Sequence, residues 1–423
     1  MTTSKKIKID VVSVPFSGHI YPLLEVMMPL LKSNRYSIRF ITGVQKIETV
    51  EQLGFSSVSL FPDAPTIMED IANTEEQAKL REMYQQLKQN VTLIPKAVEQ
   101  IEEALRDNQT DLVIADFISV PAGIVCNRLG IPWITTIPTP FALETKAGTP
   151  SYLGGWRTKT GFLYRVRDRI GRKLVRLVKR GFFFLIRKEA EALGVTLYNA
   201  RQEEAIYSPY SILGMGMMEL EFPRTFPEQF RWIGPCCYSA ETEALIIPEK
   251  SAFRQTILVT LGTHLLWGKE AMRQLLLEIA AHFPDYLFVF SLGDSQKSEE
   301  HQKIAKNVYQ YGYVPYSSNM AQFDYVIHHG GAGILYNCIK HQKPALILPH
   351  DYDQFDYAVR AEQAGIAVTT KKKSPKQLIK KLNELVQKQE WPELVRLSKQ
   401  FSDYEPSKAM DEEIQRLIKR MEK

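Results

Sequence analysis

Tyr325-Val-Ile-His-His-Gly-Gly-Ala-Gly-Ile-Leu-Tyr-Asn337 is the stretch from which the rest of this 423-residue chain can be read. Tyr325–His328 has the length and composition of a short buried strand, which breaks into glycines and restarts as a helix. Gly330, Gly331 and Gly333 remove the side chains that would keep a ligand off the backbone. The free N–H groups of the following helix, at its positive dipole end, make an anion site. After the next apolar strand, Ala345–Pro349, comes Asp351-Tyr-Asp-Gln354. A phosphate cradle and a carboxylate–amide pair on neighbouring strand ends fit a nucleotide-sugar pocket.

The surrounding half of the chain alternates strand and helix. Ile257–Leu261 reads as a strand ending in Gly262-Thr263, Lys269–His282 as a helix and Leu287–Ser291 as a strand. Gln354–Ala364 and Ser374–Lys388 have helical spacing, and Glu390–Lys423 is charged and helical with no sign of a third core. Upstream, Glu221–Pro235 is punctuated by proline and Ser239–Ser251 is polar and irregular. The expected division is therefore a domain over 1–235, a linker over 236–252, a second domain over 253–390 and a helical tail over 391–423 that packs back on the first domain.

The first half opens the same way. Ile7–Val14 is a β-branched strand, Pro15–His19 a turn, and Pro22 takes the first position of a helix carried by Leu23, Leu24, Met27, Leu30 and Leu31. Ser37–Thr42, Leu112–Ala115 and Trp133–Thr136 read as further strands, with Gly194–Tyr198 and Ser211–Gly214 after them. Glu75–Gln89, Val91–Arg106 and Ala122–Leu129 read as helices. This is an α/β chain with two doubly wound, Rossmann-like domains facing across a cleft. His19 and Asp116 both fall at carboxyl ends of parallel strands, where open α/β sheets place ligands. One reading makes both residues helix caps. The other makes them a base and the carboxylate that fixes its tautomer.

Composition is that of a soluble globular protein, with 44% hydrophobic and 24% charged residues. The net charge of +5 is modest, and no nucleic-acid partner is expected. Four cysteines, Cys236 and Cys237 adjacent, offer no disulfide framework and fit a reducing compartment. Met1–Lys8 is polar and no apolar run approaches the roughly 20 residues that span a bilayer, so a cytoplasmic location is expected. The charge is concentrated between Arg157 and Lys188, where twelve basic residues face only Asp168. Phe162, Leu163, Val166, Ile170, Leu174, Leu177, Val178 and Phe182–Ile186 interleave with them at near-helical spacing. Such a helix suits an anionic membrane surface, on the inner face, or packs its apolar stripe on the domain and leaves the charges solvated.

With these residues laid out, the chain resembles the UDP-glycosyltransferases of the GT-B fold, especially the bacterial antibiotic, macrolide and carotenoid glycosyltransferases. The motifs are Pro15–Pro22, Leu112–Asp116, Trp232-Ile-Gly-Pro235, Leu258–Thr263, Gly312-Tyr-Val-Pro315 and the His328–Asn337 loop with Asp353-Gln354, in register over nearly the whole chain. The resemblance implies an acceptor-binding first domain, a donor-binding second domain and a metal-independent, inverting transfer. A UDP-sugar would be the co-substrate, a hydrophobic hydroxylated compound the acceptor, and no further cofactor is implied. His19 would be the general base and Asp116 its orienting partner. Gly18, Gly262, Thr263, Tyr313, Val314, His329, Gly331, Ala332, Gly333, Ile334, Asn337, Asp353 and Gln354 would form the donor site. Within it Tyr313 would stack on the base, His329 and Gly331–Gly333 hold the diphosphate, and Asp353 and Gln354 bind the sugar. Two positions depart from the family: Ile334 offers no hydroxyl to the phosphates, and Asn337 stands where a ribose-binding Glu is usual. Within the same fold, a lipid-linked sugar transferase of the peptidoglycan type is the alternative, and outside catalysis a nucleotide-binding partner protein. Asp351-Tyr-Asp353 with His328, His329 and His350 also spells a metal site, a weaker reading than sugar binding.

Overall fold

The computed structural model describes residues 6–72, 80–238, 244–263, 265, 267–294, 297, 300–351 and 353–421. His264, Tyr352, the 239–243 part of the linker and the 75–79 start of the first long helix lie outside the described residues. Strands β1 (Ile7–Val12), β2 (Tyr36–Gly43), β3 (Ser56–Leu60), β4 (Leu112–Asp116), β5 (Trp133–Ile137), β6 (Ile212–Gly214) and β7 (Phe230–Trp232) form one parallel sheet in the order β3-β2-β1-β4-β5-β6-β7. A second sheet holds β8 (Gln255–Thr260), β9 (Tyr286–Ser291), β10 (His301–Ala305), β11 (Val308–Tyr311), β12 (Tyr325–His328), β13 (Ala345–Ile347) and β14 (Ala367–Thr369). Its order is β10-β11-β9-β8-β12-β13-β14, with β10 alone antiparallel. In each sheet the strand order reverses beside the domain's first strand, between β1 and β4 and between β8 and β12, the topological switch points where such sheets open a ligand crevice.

The sheets form where β-branched and aromatic runs can be covered on both faces. Ile257, Leu258 and Val259 of β8 and Val326 and Ile327 of β12 are fully buried among Phe288, Phe290 and Leu346. In the first domain one face of the sheet packs Ile9, Val11 and Ile114 on the helix Ser17–Lys32, and the other packs Val12, Ile41 and Val113 on the helix Leu80–Asn108. The last helix, Pro406–Met421, follows a second-domain helix, Pro392–Ser402, yet buries Met410, Ile414 and Leu417 in the first domain's core. Asp411 on it accepts from Arg35 at 2.8 Å and from the Tyr36 hydroxyl.

Local expectations change at several points. Gly194–Tyr198 forms no strand: it makes one isolated bridge, from Tyr198 to Glu204, and is otherwise held by Val195 N–H on the Ala190 carbonyl at 2.9 Å and the Tyr198 hydroxyl on Glu144 at 2.7 Å. Val91–Arg106 belongs to one helix that already runs from Leu80. Pro22 is not the first helical residue: the helix starts at Ser17 after an extended Phe16, and Pro22 lies inside it. The tightly turned β1–helix junction leaves no room for a longer loop, so Gly18 and His19 fall in the first helical turn, with His19 and Ile20 donating to the Phe16 carbonyl.

Polar groups join the domains at several places, two of which flank the cleft. At the linker, Glu25 accepts the Cys237 and Tyr238 N–H groups at 2.7 and 2.8 Å, while Asn337 donates to the Cys237 carbonyl at 3.1 Å. One peptide segment is thus held from both sides. At the far side, the helix Gln354–Gln363 lies on the 138–158 loop. Arg360, whose side chain is 3% exposed, donates to Glu221 at 2.7 Å and to the Asp356 carbonyl at 3.1 Å, with the Asp356 carboxylate at 3.5 Å. Its guanidinium also lies over the rings of Phe141 and Phe222, and Asp356 accepts the Leu153 and Gly154 N–H groups. Removing the cation strands two buried carboxylates. Arg360→Met is expected to cost about 3–5 kcal/mol, read as a lower midpoint in urea unfolding; an unchanged midpoint contradicts the lock.

Candidate active site

β1 and β4 are neighbours, so the helix after β1 and the end of β4 bring His19 and Asp116 together across 97 residues of sequence. His19 Nδ1 lies 3.0 Å from both Asp116 carboxylate oxygens, and Asp116 also accepts the Ile118 N–H at 3.1 Å. An ionised carboxylate only accepts, so the proton sits on Nδ1 and Nε2 carries the lone pair. Phe117 stacks on the imidazole at 5.6 Å and Phe16 meets its edge. The Asp116 side chain is fully buried, whereas that of His19 keeps 22% exposure. Burial pushes the His19 pKa down, but the Asp116 carboxylate and, more weakly, that of Asp353 outweigh it and hold the value above 6.5.

Asp353 is the first point where the second domain reaches this pair. It precedes the helix Gln354–Gln363 and accepts from the hydroxyl of Thr139, a first-domain residue just past β5, at 3.1 Å. Burial raises its carboxyl to about 6, against the lowering effects of Thr139 and His19. Gln354 is buried, and its side-chain oxygen accepts the His350 and Asp351 N–H groups at 2.9 and 3.1 Å, which fixes the loop that carries Asp353.

The histidine–glycine loop leaves β12 and enters the helix Ala332–Lys340 with no side-chain cap, so its first N–H groups are turned to the crevice without a capping partner. His329 lies between two glycines, Gly262 and Gly331, whose missing side chains leave room for its ring. A Cβ on Gly262, at φ +71°, would stand 2.8 Å from the imidazole, and one on Gly331 would meet its Nε2 at 2.5 Å. The β8 and β12 ends thereby fit one ring between them, with Thr263 following Gly262. Next to it Ala332 and Gly333 begin the helix, and a Cβ on Gly333 would meet nothing within 4 Å. The same holds for Gly18 opposite.

Other donor-site residues are placed differently from the uniform pocket the sequence suggests. Ile334 packs its side chain in the second domain's core, so only its backbone faces the helix end. Asn337 is buried and donates to Cys237 and to the Gly333 carbonyl, with its Oδ1 unpartnered. Val314 is buried with its N–H donating to Ser291 Oγ at 3.2 Å. Tyr313 is half-buried; burial and then the nearby Tyr316, Tyr21 and Tyr238 phenols raise its pKa. Tyr21 and Tyr238 pack on each other at 5.9 Å, so the ring assigned to the base has aromatic neighbours from the first domain and the linker. His328 is spent on structure, accepting the Gly330 N–H at 3.0 Å, and His350 contacts the Leu348 carbonyl at 2.6 Å. Among the described residues no three His, Cys, Asp or Glu side chains are grouped to hold a metal ion.

Sequence reasoning missed Thr139, Phe117, Glu25 and the tyrosine pair. Thr139 had a usable signal, since it follows the strand beside β4 at the carboxyl edge. Nothing local marks Glu25, an acid on an amphipathic helix, as a partner of the linker.

Residues 256–411 match the family described as Glycosyltransferase family 28 C-terminal domain. NDP-glycosyltransferase YjiC of Bacillus subtilis (strain 168) is 23% identical, over 86% of this chain and 84% of that protein. Zeaxanthin glucosyltransferase of Pantoea ananas is 21% identical, over 84% and 82%. The solved glycotransferase of kitacinnamycin superposes with a TM-score of 0.74 at 21% identity, covering 98% of this chain and 99% of that one. The chain therefore has the two-domain fold of the GT-B glycosyltransferases, and its second half is similar to the family 28 C-terminal domain. In this chain Asp353 of the second domain comes near the His19–Asp116 pair through its hydrogen bond with Thr139.

His19 gives a direct titration. Its folded pKa is raised, so the stability it contributes is complete below pH 6.5 and is lost as pH rises through the higher folded value. Imidazole NMR should place the His19 midpoint above 6.5. In Asp116→Asn, burial is left as the larger influence and the midpoint should fall below it; a midpoint that stays put contradicts the pairing.

Proposed function

We propose that this protein is a glycosyltransferase that moves a hexose, glucose in the first instance, from a UDP-sugar to a hydroxyl of a hydrophobic small-molecule or lipid acceptor, with inversion and without a metal ion. The observation that carries the reading is the His19–Asp116 pair standing across the crevice from Asp353 and the uncapped Ala332–Lys340 helix end. The names of the relatives support its two halves: one is an NDP-glycosyltransferase and one a zeaxanthin glucosyltransferase.

The chemistry is a single displacement. His19 Nε2 takes the acceptor's hydroxyl proton as the oxygen attacks the anomeric carbon, and Asp116 stabilises the imidazolium through Nδ1–H. The bond from the anomeric carbon to the phosphate oxygen breaks, and its electron pair leaves with the nucleoside diphosphate. That charge is received by the Gly331–Gly333 N–H groups, the helix dipole and His329. Ala332 and Ile334 contribute backbone only. Asp353 and the amide nitrogen of Gln354 hold the sugar hydroxyls, and Tyr313 stacks on the base. Asn337 stays buried, its nitrogen holding the linker, so the ribose is left to neighbouring backbone groups. Four free, buried cysteines accord with a reducing, cytoplasmic compartment, at the inner face of the membrane.

The test is turnover of UDP-glucose with a panel of lipophilic alcohols. His19→Ala is expected to lower kcat by about 10²–10⁴-fold while UDP binding by calorimetry holds; unchanged turnover defeats the catalytic assignment and leaves a nucleotide-binding protein. The product's anomeric proton coupling decides the stereochemistry, and a retained α-linkage refutes the single displacement. On the leaving-group side, Gly331→Ala forces His329 aside and should weaken UDP binding about tenfold; undiminished binding removes His329 from the diphosphate site.

A further inference from the structure

The basic segment forms a helix, Phe162–Leu185, of 24 residues and therefore roughly 36 Å long. It is mounted the wrong way round for a helix of a soluble domain, which turns its apolar stripe to the core. Here the charged side faces inward. Arg176 pairs with Glu144 at 3.1 Å and with the Gln202 carbonyl, Lys179 with Glu204 and with Glu144 at 3.6 Å, and Arg172 donates to the Gly148 carbonyl. Gly171 lies against Pro150, where a Cβ would stand 3.0 Å from the ring. Not one residue of the helix is buried.

The stripe consequently points to solvent. Leu163 is 78% exposed, Ile170 60%, Leu174 57% and Leu177 66%, at the three- and four-residue spacing of one helical face. Phe162 at 71% and Phe184 at 61% mark its two ends. Arg169, Lys173 and Arg180, all exposed, run along one flank. Water-exposed apolar residues in such a contiguous row mark a surface that something covers.

We propose that this helix docks the protein on an anionic phospholipid bilayer, lying in the interfacial plane with its stripe among the acyl chains and its flanking cations at the headgroups. Charge decides between lipid and a second copy of the chain. A two-fold pairing through the same stripe sets each cationic flank beside its own copy, whereas an anionic leaflet complements it. The inward ion pairs hold the helix on the domain while the stripe is free to insert, so docking needs no unfolding. The helix also follows directly from the loop 138–158, which carries Thr139 and Tyr152 near Asp353, so the docked face lies beside the cleft. Among the described residues no helix is long and apolar enough to cross a membrane, which leaves an attachment at the surface.

Sedimentation with vesicles tests it, using phosphatidylcholine alone and phosphatidylcholine with phosphatidylglycerol. The full chain should sediment with the anionic vesicles at low salt and stay in solution with the neutral ones. A triple variant of the stripe, I170Q with L174Q and L177Q, and a flank variant, R169E with K173E and R180E, should each weaken binding by about a hundredfold. Both should keep the unfolding midpoint and the turnover of a water-soluble acceptor. No sedimentation of the unaltered chain, or equal sedimentation of the stripe variant, overturns the proposal. So does a dimer by light scattering that the stripe variant dissociates while vesicle binding is absent. His19→Ala should sediment like the unaltered chain, so failure of the catalytic reading and failure of docking are told apart.

Discussion

The guanidinium of Arg360 is the group on which the geometry of the cleft depends. It is buried between two domains, answers Glu221 from one and Asp356 from its own helix, and is faced by the rings of Phe141 and Phe222. Burying an ion there is tolerated because both Nη groups are met by Glu221 and Asp356 and the rings cover its faces, while Nε stays without a partner. The same helix begins with Gln354, so fixing Arg360 fixes the approach of Asp353 to Thr139 and His19. On the opposite side Glu25 and Asn337 grip one linker peptide from the two domains. Two half-sites on separate sheets are held in one relation by polar contacts that have few alternative arrangements.

Electrostatics divides the work within that frame. Asp116 is buried and close, and it sets the tautomer and charge of His19. Asp353 is farther along the cleft and carries a raised carboxyl at about 6, so its charge near neutrality depends on what stands beside it. A sugar hydroxyl donating to it and a proton arriving on His19 both favour its ionised form. Opposite them, positive potential comes from a helix end and backbone N–H groups.

The basic helix shows that a pattern can be right and its orientation undecided. Its amphipathic spacing was plain in the sequence, and both a solvated charged face and a membrane-facing stripe followed from it. The ion pairs to Glu144 and Glu204 settle which side is in. Those acids are distant in sequence and have no periodicity linking them to Arg176 or Lys179.

The sequence by itself determined the two αβ halves, the strand Tyr325–His328, the glycine loop after it and the placing of His19 and Asp116 on strand ends. These are local matters: apolar runs bounded by glycine or proline, each ending where a parallel sheet opens. It misjudged the start of the first helix, because Pro22 has the local character of a helix head yet is the sixth residue of a helix that packing on β1 starts at Ser17. It also had no means of finding the antiparallel β10, the Thr139–Asp353 contact or the linker grip, which join residues 214 and 212 positions apart in two of these cases. Tertiary structure alone decided Ile334 and Asn337. The first turned into the core, and the second turned to the linker, since each side chain goes where burial or a carbonyl partner compensates for leaving water. The histidine–glycine loop was legible as a motif; the cleft that sets it in one structure with His19, Asp116 and Asp353 was a property of the folded pair of domains.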